Sequence, residues 1–238
     1  MNEIEKARRF LSRDPIRYSY IIAHLREHSD FMLEGAPDAV LVRGENVISV
    51  TGEISRVRRL LKKLEPGGYR FHALDPVAFR AVSELLEDVD SGPTWMLEYP
   101  LETTFPHDSM VEPLVPEDAP EICKYWHGGD REAVPYILER IEKGPAYGIR
   151  MQNELVAWSL THYITEHVMC LGFLHVKEQF RCKGLAMAIS KQLINHALEK
   201  DMVPVVDIYK DNLPSLKLAR KFGFREIGEN HWLTCRVP

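Results

Sequence analysis

The stretch Gly172-Phe-Leu-His-Val-Lys-Glu-Gln-Phe-Arg-Cys-Lys-Gly-Leu-Ala-Met187 decides how this chain is read. Its first half is an apolar strand, and its second half, Arg181-x-x-Gly184-x-Ala186, is a basic turn that opens a helix. Leu185, Ala188, Ile189, Leu193, Ala197 and Leu198 recur at helical spacing, which predicts a helix from Gly184 to about Lys200. No Ser, Thr or Asp stands where a cap belongs, so the opening amides are left to bind an anion, aided by the helix dipole. Gly184 lets a ligand approach the backbone closely, and Arg181 and Lys183 add positive charge. The reading is a cradle for a diphosphate; the alternative is an ordinary strand-to-helix turn with two solvated basic residues. No Gly-Lys-Ser/Thr ends the loop and no Gly-x-Gly-x-x-Gly is present, which argues against a triphosphate P-loop and a dinucleotide fingerprint.

A second segment repeats the strand, turn and helix pattern. Val205-Val-Asp-Ile-Tyr209 leads through Lys210-Asp-Asn212-Leu-Pro-Ser215 into Leu216-Lys-Leu-Ala-Arg-Lys-Phe-Gly223-Phe224. Asp211 or Asn212 suits the cap of a short helix, Pro214 its first turn, and Gly223 the left-handed position after it. Asn212 by itself reads as no more than that cap. Following the basic turn by about 30 residues, however, this segment completes a pair that resembles the two signature segments of the GNAT acyltransferase superfamily. Lys124-Tyr-Trp-His-Gly-Gly-Asp-Arg131, Tyr136-Ile-Leu-Glu-Arg-Ile141 and Leu155-Val-Ala-Trp158-Ser further resemble the glycine N-acyltransferase family.

The resemblance implies an α/β (α+β) fold with a mixed, mainly antiparallel sheet flanked by helices. It implies acetyl-CoA or another acyl-CoA as acyl donor, with no metal. Carried over residue by residue, Arg181, Cys182, Lys183, Gly184, Leu185, Ala186 and Met187 would hold the diphosphate. The main chain at Leu174 and Val176 would pair with the pantetheine arm, their side chains turned into the core, and Asn212 and Ser215 would stand by the carrier. The acceptor would be a small-molecule amine or amino acid whose nitrogen attacks the thioester directly in a ternary complex. Asp207 is the first candidate to accept the amine's proton, because some family members place a glutamate facing the acceptor on this strand. His175 is the second, and strand alternation sets it beside the same face unless a bulge changes the parity. Two departures bear on mechanism. The family's tyrosine acid falls at Ala219, and the glutamate of glycine N-acyltransferases falls near Cys170. Tyr209 or a water would then serve, and a non-catalytic acyl-CoA sensor or a protein N-acetyltransferase remain alternatives.

Composition agrees with an enzyme: 238 residues, 45% apolar and 27% charged, supply ample core for one large or two small domains. A net charge of −5 argues against nucleic-acid binding. No apolar run approaches the roughly 20 residues that span a bilayer, and the first residues lack a signal peptide's apolar core. The expectation is a cytoplasmic protein with no membrane partner, either monomeric or a homodimer. Cys123, Cys170, Cys182 and Cys235 are too widely spaced for a Cys-x-x-Cys site and read as reduced thiols.

Pro100, Pro106, Pro113 and Pro116 mark a join, giving a GNAT-like N-terminal domain at 1–105 and a catalytic domain at 110–238. The first carries helical patterns at 3–11 and 16–27, strands at Ala39–Val42 and Asn46–Val50, and a basic helix at Glu53–Leu64. A strand at Tyr69–Ala73, a helix after Asp75-Pro76 and a strand at Thr94–Tyr99 complete it. Arg56, Arg58, Arg59, Lys62 and Lys63 spread around the basic helix and read as a solvated face. In the second domain, helices ending near Trp126 and spanning Arg131–Lys143 precede strands at Tyr147–Arg150, Leu155–Tyr163 and Val168–Val176.

Overall fold

The computed structural model describes residues 2–44, 47–126 and 133–238. In chain order it contains α1 (Glu3–Leu11), α2 (Ser19–Glu27), β1 (Asp30–Glu34), β2 (Ala39–Arg43), β3 (Val47–Gly52), α3 (Ile54–Leu61), β4 (Gly67–Leu74), α4 (Pro76–Leu85) and β5 (Glu87–Glu98). There follow β6 (Val111–Pro113), α5 (Ala119–Cys123), α6 (Val134–Lys143), β7 (Tyr147–Met151), β8 (Glu154–Ile164), β9 (Val168–Val176), α7 (Leu185–Leu198), β10 (Val203–Tyr209), α8 (Leu213–Phe222) and β11 (Arg225–Val237). This is a mixed α/β fold, a sheet flanked by helices.

Contacts divide the chain into two compact units that are not contiguous in sequence: residues 1–97 with 207–219 and 225–238, and residues 98–206 with 220–224. The division therefore follows packing rather than a single cut at the proline-rich join. The chain leaves the second unit inside β10, between Val206 and Asp207.

In the first unit the strands run in the order β1-β2-β3-β4-β11-β5. β1–β2, β2–β3 and β4–β11 are antiparallel, whereas β3 and β4 are parallel and joined over α3. Alternation along β2 dresses both faces of the sheet. Val40 and Val42 pack with Ala7, Phe10 and Leu11 of α1 and with Ile21 and Leu25 of α2. Ala39 and Leu41 pack with Val57, Leu60 and Leu61 of α3 and with Ala78, Ala81 and Val82 of α4.

In the second unit the order is β10-β9-β8-β7-β6, antiparallel except for the β9–β10 pair, which α7 bridges. The β7–β8 turn is Gln152-Asn153, both at positive φ (52° and 66°), as a tight hairpin requires. One face is covered by α5 and α6, where Ile122, Ile137 and Ile141 close over Trp158, Leu160 and Phe173. Fully burying a side chain the size of Trp158 contributes on the order of 3 kcal/mol.

The expected helices and strands are present, with three additions. β1 and β6 are short, and their few apolar residues do not alternate distinctly; β11 was not anticipated, and it pairs with β4 from Val237↔Gly67 to His231↔Leu74. The strand expected from Asn46 begins at Val47, and Glu45 and Asn46 lie outside the described residues. Likewise the helix expected from Arg131 is described from Val134, and His127 to Arg131 of the quoted motif lie outside.

Candidate functional site

The parallel ladder between β9 and β10 is short: Val168, Met169 and Cys170 pair with Val203, Pro204 and Val205, and the register ends there. Beyond it, β9 continues as Leu171–Val176, bonded to β8 on its other edge. Phe173 takes φ +54° and makes a bulge, so that Phe173 and Leu174 of β9 together oppose Ser159 of β8 between the Gly172↔Leu160 and His175↔Trp158 pairs. The bulge alters the simple alternation assumed from the sequence. Phe173 enters the core under α5 and α6, and His175 stacks on Trp158 (4.7 Å, 24°) and lies against Tyr125 (4.7 Å). Leu174 and Val176 are half-buried rather than sealed in the core as expected, which suits a segment whose main chain serves a ligand.

Behind β9, Lys177 is buried, with Nζ 2.6 Å from Glu121 and 3.0 Å from Glu154, a clamp between α5 and the sheet. Burial, with Arg181 and Lys177 nearby, holds the His175 imidazole below its ordinary value, so it is neutral at pH 7. Its Nε2 is buried with no hydrogen-bond partner among the described residues.

The turn after β9 matches the sequence reading closely. Arg181 Nε donates to the Val176 carbonyl at 3.1 Å and staples the turn shut. Cys182 (φ +62°) and Gly184 (φ +81°) are both left-handed, which turns the chain sharply into α7. Gly184 occupies the cap position of α7 and no side chain caps the helix. A Cβ built on Gly184 would meet nothing within 4 Å, so its surface is open. Residues 181–184 are exposed, and Lys183 Nζ lies 5.2 Å over the Phe180 ring. An uncapped 14-residue helix with two cations before it leaves free amides and positive charge together, the features that favour an anion.

The remaining predicted residues belong to the first unit. Asn212 caps α8, its Oδ1 accepting the Ser215 amide at 3.3 Å. Asp207 has its carboxylate inside the unit. Oδ1 accepts from Asn230 Nδ2 at 2.9 Å and from the Thr94 hydroxyl at 3.2 Å, while Oδ2 is buried without a partner among the described residues. Burial pushes this carboxyl up to about 6, against the downward pull of Asn230, Thr94 and Arg17. Asp207 and His175 thus fall in different units, as do Asn212 and the turn before α7. Ala219 and Cys170, the two departures from pattern, are both buried.

Sequence reading missed the residues that surround these groups. Thr94, Asn230 and Arg17 stand 113, 23 and 190 residues from Asp207, and no motif announces them. It also missed what happens at the matching crossover of the first unit. There Glu53 caps α3, its carboxylate accepting the amides of Ser55 (3.0 Å) and Arg56 (3.2 Å) and the Ser55 hydroxyl. Arg58, Arg59 and Lys63 are paired with Glu84 and Glu34, in keeping with a solvated face.

Residues 140–232 match the family model described as GNAT acetyltransferase, and that match spans both the turn before α7 and Asn212. Among solved structures, a GCN5-related N-acetyltransferase from Kribbella flavida superposes with TM-score 0.63 at 15% identity, covering 94% of this chain and 95% of that one. A GCN5-related N-acetyltransferase-like protein from Streptococcus suis gives TM-score 0.60 at 15% identity, over 99% and 100% of the two chains. A tandem GNAT protein from the clavulanic acid biosynthesis pathway gives TM-score 0.55 at 12% identity over 94% and 88%. No curated protein matches. The fold is the GNAT fold, and the family match with that fold supports acyl transfer in general. Among the described residues, no helix is long and apolar enough to cross a membrane, and no group of three or more His, Cys, Asp or Glu side chains is gathered for a metal.

Proposed function

We propose that this chain is an acyl-CoA-dependent N-acyltransferase of the glycine N-acyltransferase type, acting on a small-molecule amine or amino acid. The observation that carries the reading is the uncapped start of α7 behind a left-handed Gly184, at the end of a strand whose parallel ladder stops at Cys170. The amides of Leu185, Ala186 and Met187 with Lys183 receive the diphosphate. The edge of β9 beyond Cys170 receives the pantetheine arm as an added strand.

In the reaction the amine nitrogen attacks the thioester carbonyl, the C–N bond forms, the C–S bond breaks, and the thiolate leaves. Asp207 accepts the amine's proton at Oδ2 through a water relay, since this oxygen is buried. A carboxyl that titrates near 6 is ionised at pH 7 yet basic enough to act. His175, neutral and with Nε2 unengaged, is the second candidate.

A matrix of acyl-CoA donors against amine acceptors, read by thiol release, tests the activity and ranks acceptors. Isothermal titration with CoA tests the site separately. Binding without turnover for any amine would mark a sensor, and no binding would remove the assignment. With an acceptor in hand, kcat/KM is expected to fall on the acid side with a midpoint near 6. Asp207→Asn is expected to lower kcat by roughly 100-fold or more.

A further inference from the structure

We propose that Arg17, in the turn between α1 and α2, is a positioning residue that sets both the ionisation and the orientation of Asp207 by locking the Asn230 side-chain amide. The inference rests on the reading of Asp207 as proton acceptor, yet it stands on geometry that can be measured independently of catalysis.

A guanidinium only donates and an ionised carboxylate only accepts. Arg17 Nη1 lies 2.8 Å from the Asn230 side chain, so the atom facing it is Oδ1. That leaves Nδ2 facing Asp207 Oδ1 at 2.9 Å. The two contacts admit one amide orientation, the one that donates to an ionised Asp207. With Arg17 removed, Asn230 is free to turn over and present its oxygen, which favours a protonated Asp207 instead. Arg17 therefore acts twice, by its charge and by the amide it holds.

The guanidinium is itself fixed. Nη2 donates to the Glu229 carbonyl at 2.5 Å, Nη1 also contacts Met96 Sδ at 3.6 Å, and the Arg17 amide donates to Asp14 at 3.0 Å. Gly228 makes the room, since a Cβ there would lie 2.6 Å from Nη1. The other charged groups nearby are engaged or sit on Asp207's own segment. Glu229 is paired with Lys210 (2.6 Å) and His231 (3.0 Å), Lys210 also lies over Trp95, and Tyr209 and Asp211 follow Asp207 in the chain. With Oδ1 taken by Asn230 and Thr94, Oδ2 is the oxygen left to exchange a proton. The inference gives the N-terminal part of the chain a role in the chemistry: it supplies the cation that tunes a residue encoded near the C-terminus.

The test is the titration of Asp207 in the full-length protein by carbon-13 NMR of side-chain carboxyls, the resonance being assigned by its loss in Asp207→Asn. Arg17→Gln is expected to raise the midpoint by about one pH unit, with Arg17→Lys recovering part of the shift. Gly228→Ala, which displaces the guanidinium but keeps its charge, is expected to raise it by about half as much. The acid limb of kcat/KM should follow the same order. A midpoint unchanged in both folded Arg17→Gln and Gly228→Ala overturns the proposal, and so does a loss of melting temperature with no shift in either. If Asp207's midpoint moves while the limb of the rate profile stays, the Arg17 lock stands and Asp207 is not the proton acceptor.

Discussion

The chain passes from one strand to a parallel neighbour over a helix at β3–α3–β4 and again at β9–α7–β10, and the two crossings treat the helix start in opposite ways. At α3 the protein supplies its own anion: the Glu53 carboxylate takes the amides of Ser55 and Arg56. At α7 it supplies none, and a left-handed Gly184 stands in the cap position instead. The strands ahead of the helices differ as well. In the first unit Ser49 and Thr51 are tied to His24 (2.6 Å) and Asp75 (2.6 Å), and the space beside them is about 10 Å³, room for about one water. In the second unit the continuation of β9 beyond Cys170 presents half-buried residues and a bulge. One supersecondary pattern thus occurs once with its helix start capped and once with its helix start left open. The distinction lies in a few side chains rather than in topology.

The strongest way to break the contrast is to give α7 what α3 already has. Gly184→Glu places a carboxylate at the cap of α7, where it competes with a diphosphate and repels it. CoA affinity should fall on the order of 1,000-fold, about 4 kcal/mol. Gly184→Ala separates charge from backbone strain. A Cβ meets nothing there, so only the left-handed φ of +81° is penalised, by about 1 kcal/mol. Its CoA affinity should stay within about tenfold of the parent. Calorimetry on both variants with CoA is the measurement, and equal losses would show that the helix start does not contact the anion.

The closed crossing has its own signature, in acid. His24 is buried against Ser49, and its pKa is lowered to about 4 by burial, with His28 and His72 adding to the effect. The unfolded chain takes up this proton first as the pH falls from 6.5, so the stability that the neutral ring contributes is present above 6.5 and lost on the way down to 4. The loss is up to about 3 kcal/mol. Urea unfolding at pH 7, 5.5 and 4.5 should show it, and His24→Gln should flatten the dependence. An equally steep fall in that variant would place the acid sensitivity elsewhere.

Asp207 has the opposite sign. Its folded-state pKa of about 6 lies above the ordinary value of 3.8, so the native state is favoured while the group is protonated and that contribution is lost as the pH rises through 6. Asp207→Asn removes the buried charge and should stabilise the protein at pH 8 by about 2 kcal/mol, with no advantage at pH 4. A residue that costs stability at neutral pH is the kind expected of a reactive group rather than a structural one. Melting temperatures of the two proteins across this range measure it. No gain at pH 8 would mean that the carboxylate is better solvated than its burial indicates.

What could be read along the sequence follows from how local each feature is. The turn from Arg181 to Met187 and the helices after Gly184 and Asn212 were legible because apolar spacing, glycine and cap residues act within one or two helical turns. The hairpin at Gln152-Asn153 was legible for the same reason. The bulge at Phe173 was not, because the residue that takes a left-handed φ there is a phenylalanine held in place by Trp126 in the turn after α5, Tyr136 of α6 and His162 of β8. The surroundings of Asp207 were not legible either, since Arg17 reaches it through Asn230, 213 residues further along the chain. β11 escaped because its pairing with β4 is decided by packing, with Leu233, Cys235 and Val237 entering the core beside Phe71 and Leu74. Glu53 was not legible as a cap, because glutamate is not among the residues that ordinarily take that role and Glu53-Ile-Ser55 marks only the head of a basic helix.

Glu53→Ala asks whether a free helix start is enough. The substitution strips the cap from α3 and should cost about 1 kcal/mol of stability, measured by urea unfolding. It leaves α3 with open amides and with Arg56, Arg58 and Arg59 on the helix, superficially the ingredients found at α7. No second CoA is expected to bind, because the space beside Ser49 and Thr51 remains about 10 Å³ and the His24 and Asp75 hydrogen bonds that fill it are untouched. A stoichiometry of one by calorimetry in both the parent and the variant therefore says that an anion-binding helix start becomes a carrier site only where the adjoining strand edge is also open. A second binding event would say that the cap alone keeps the first crossing closed.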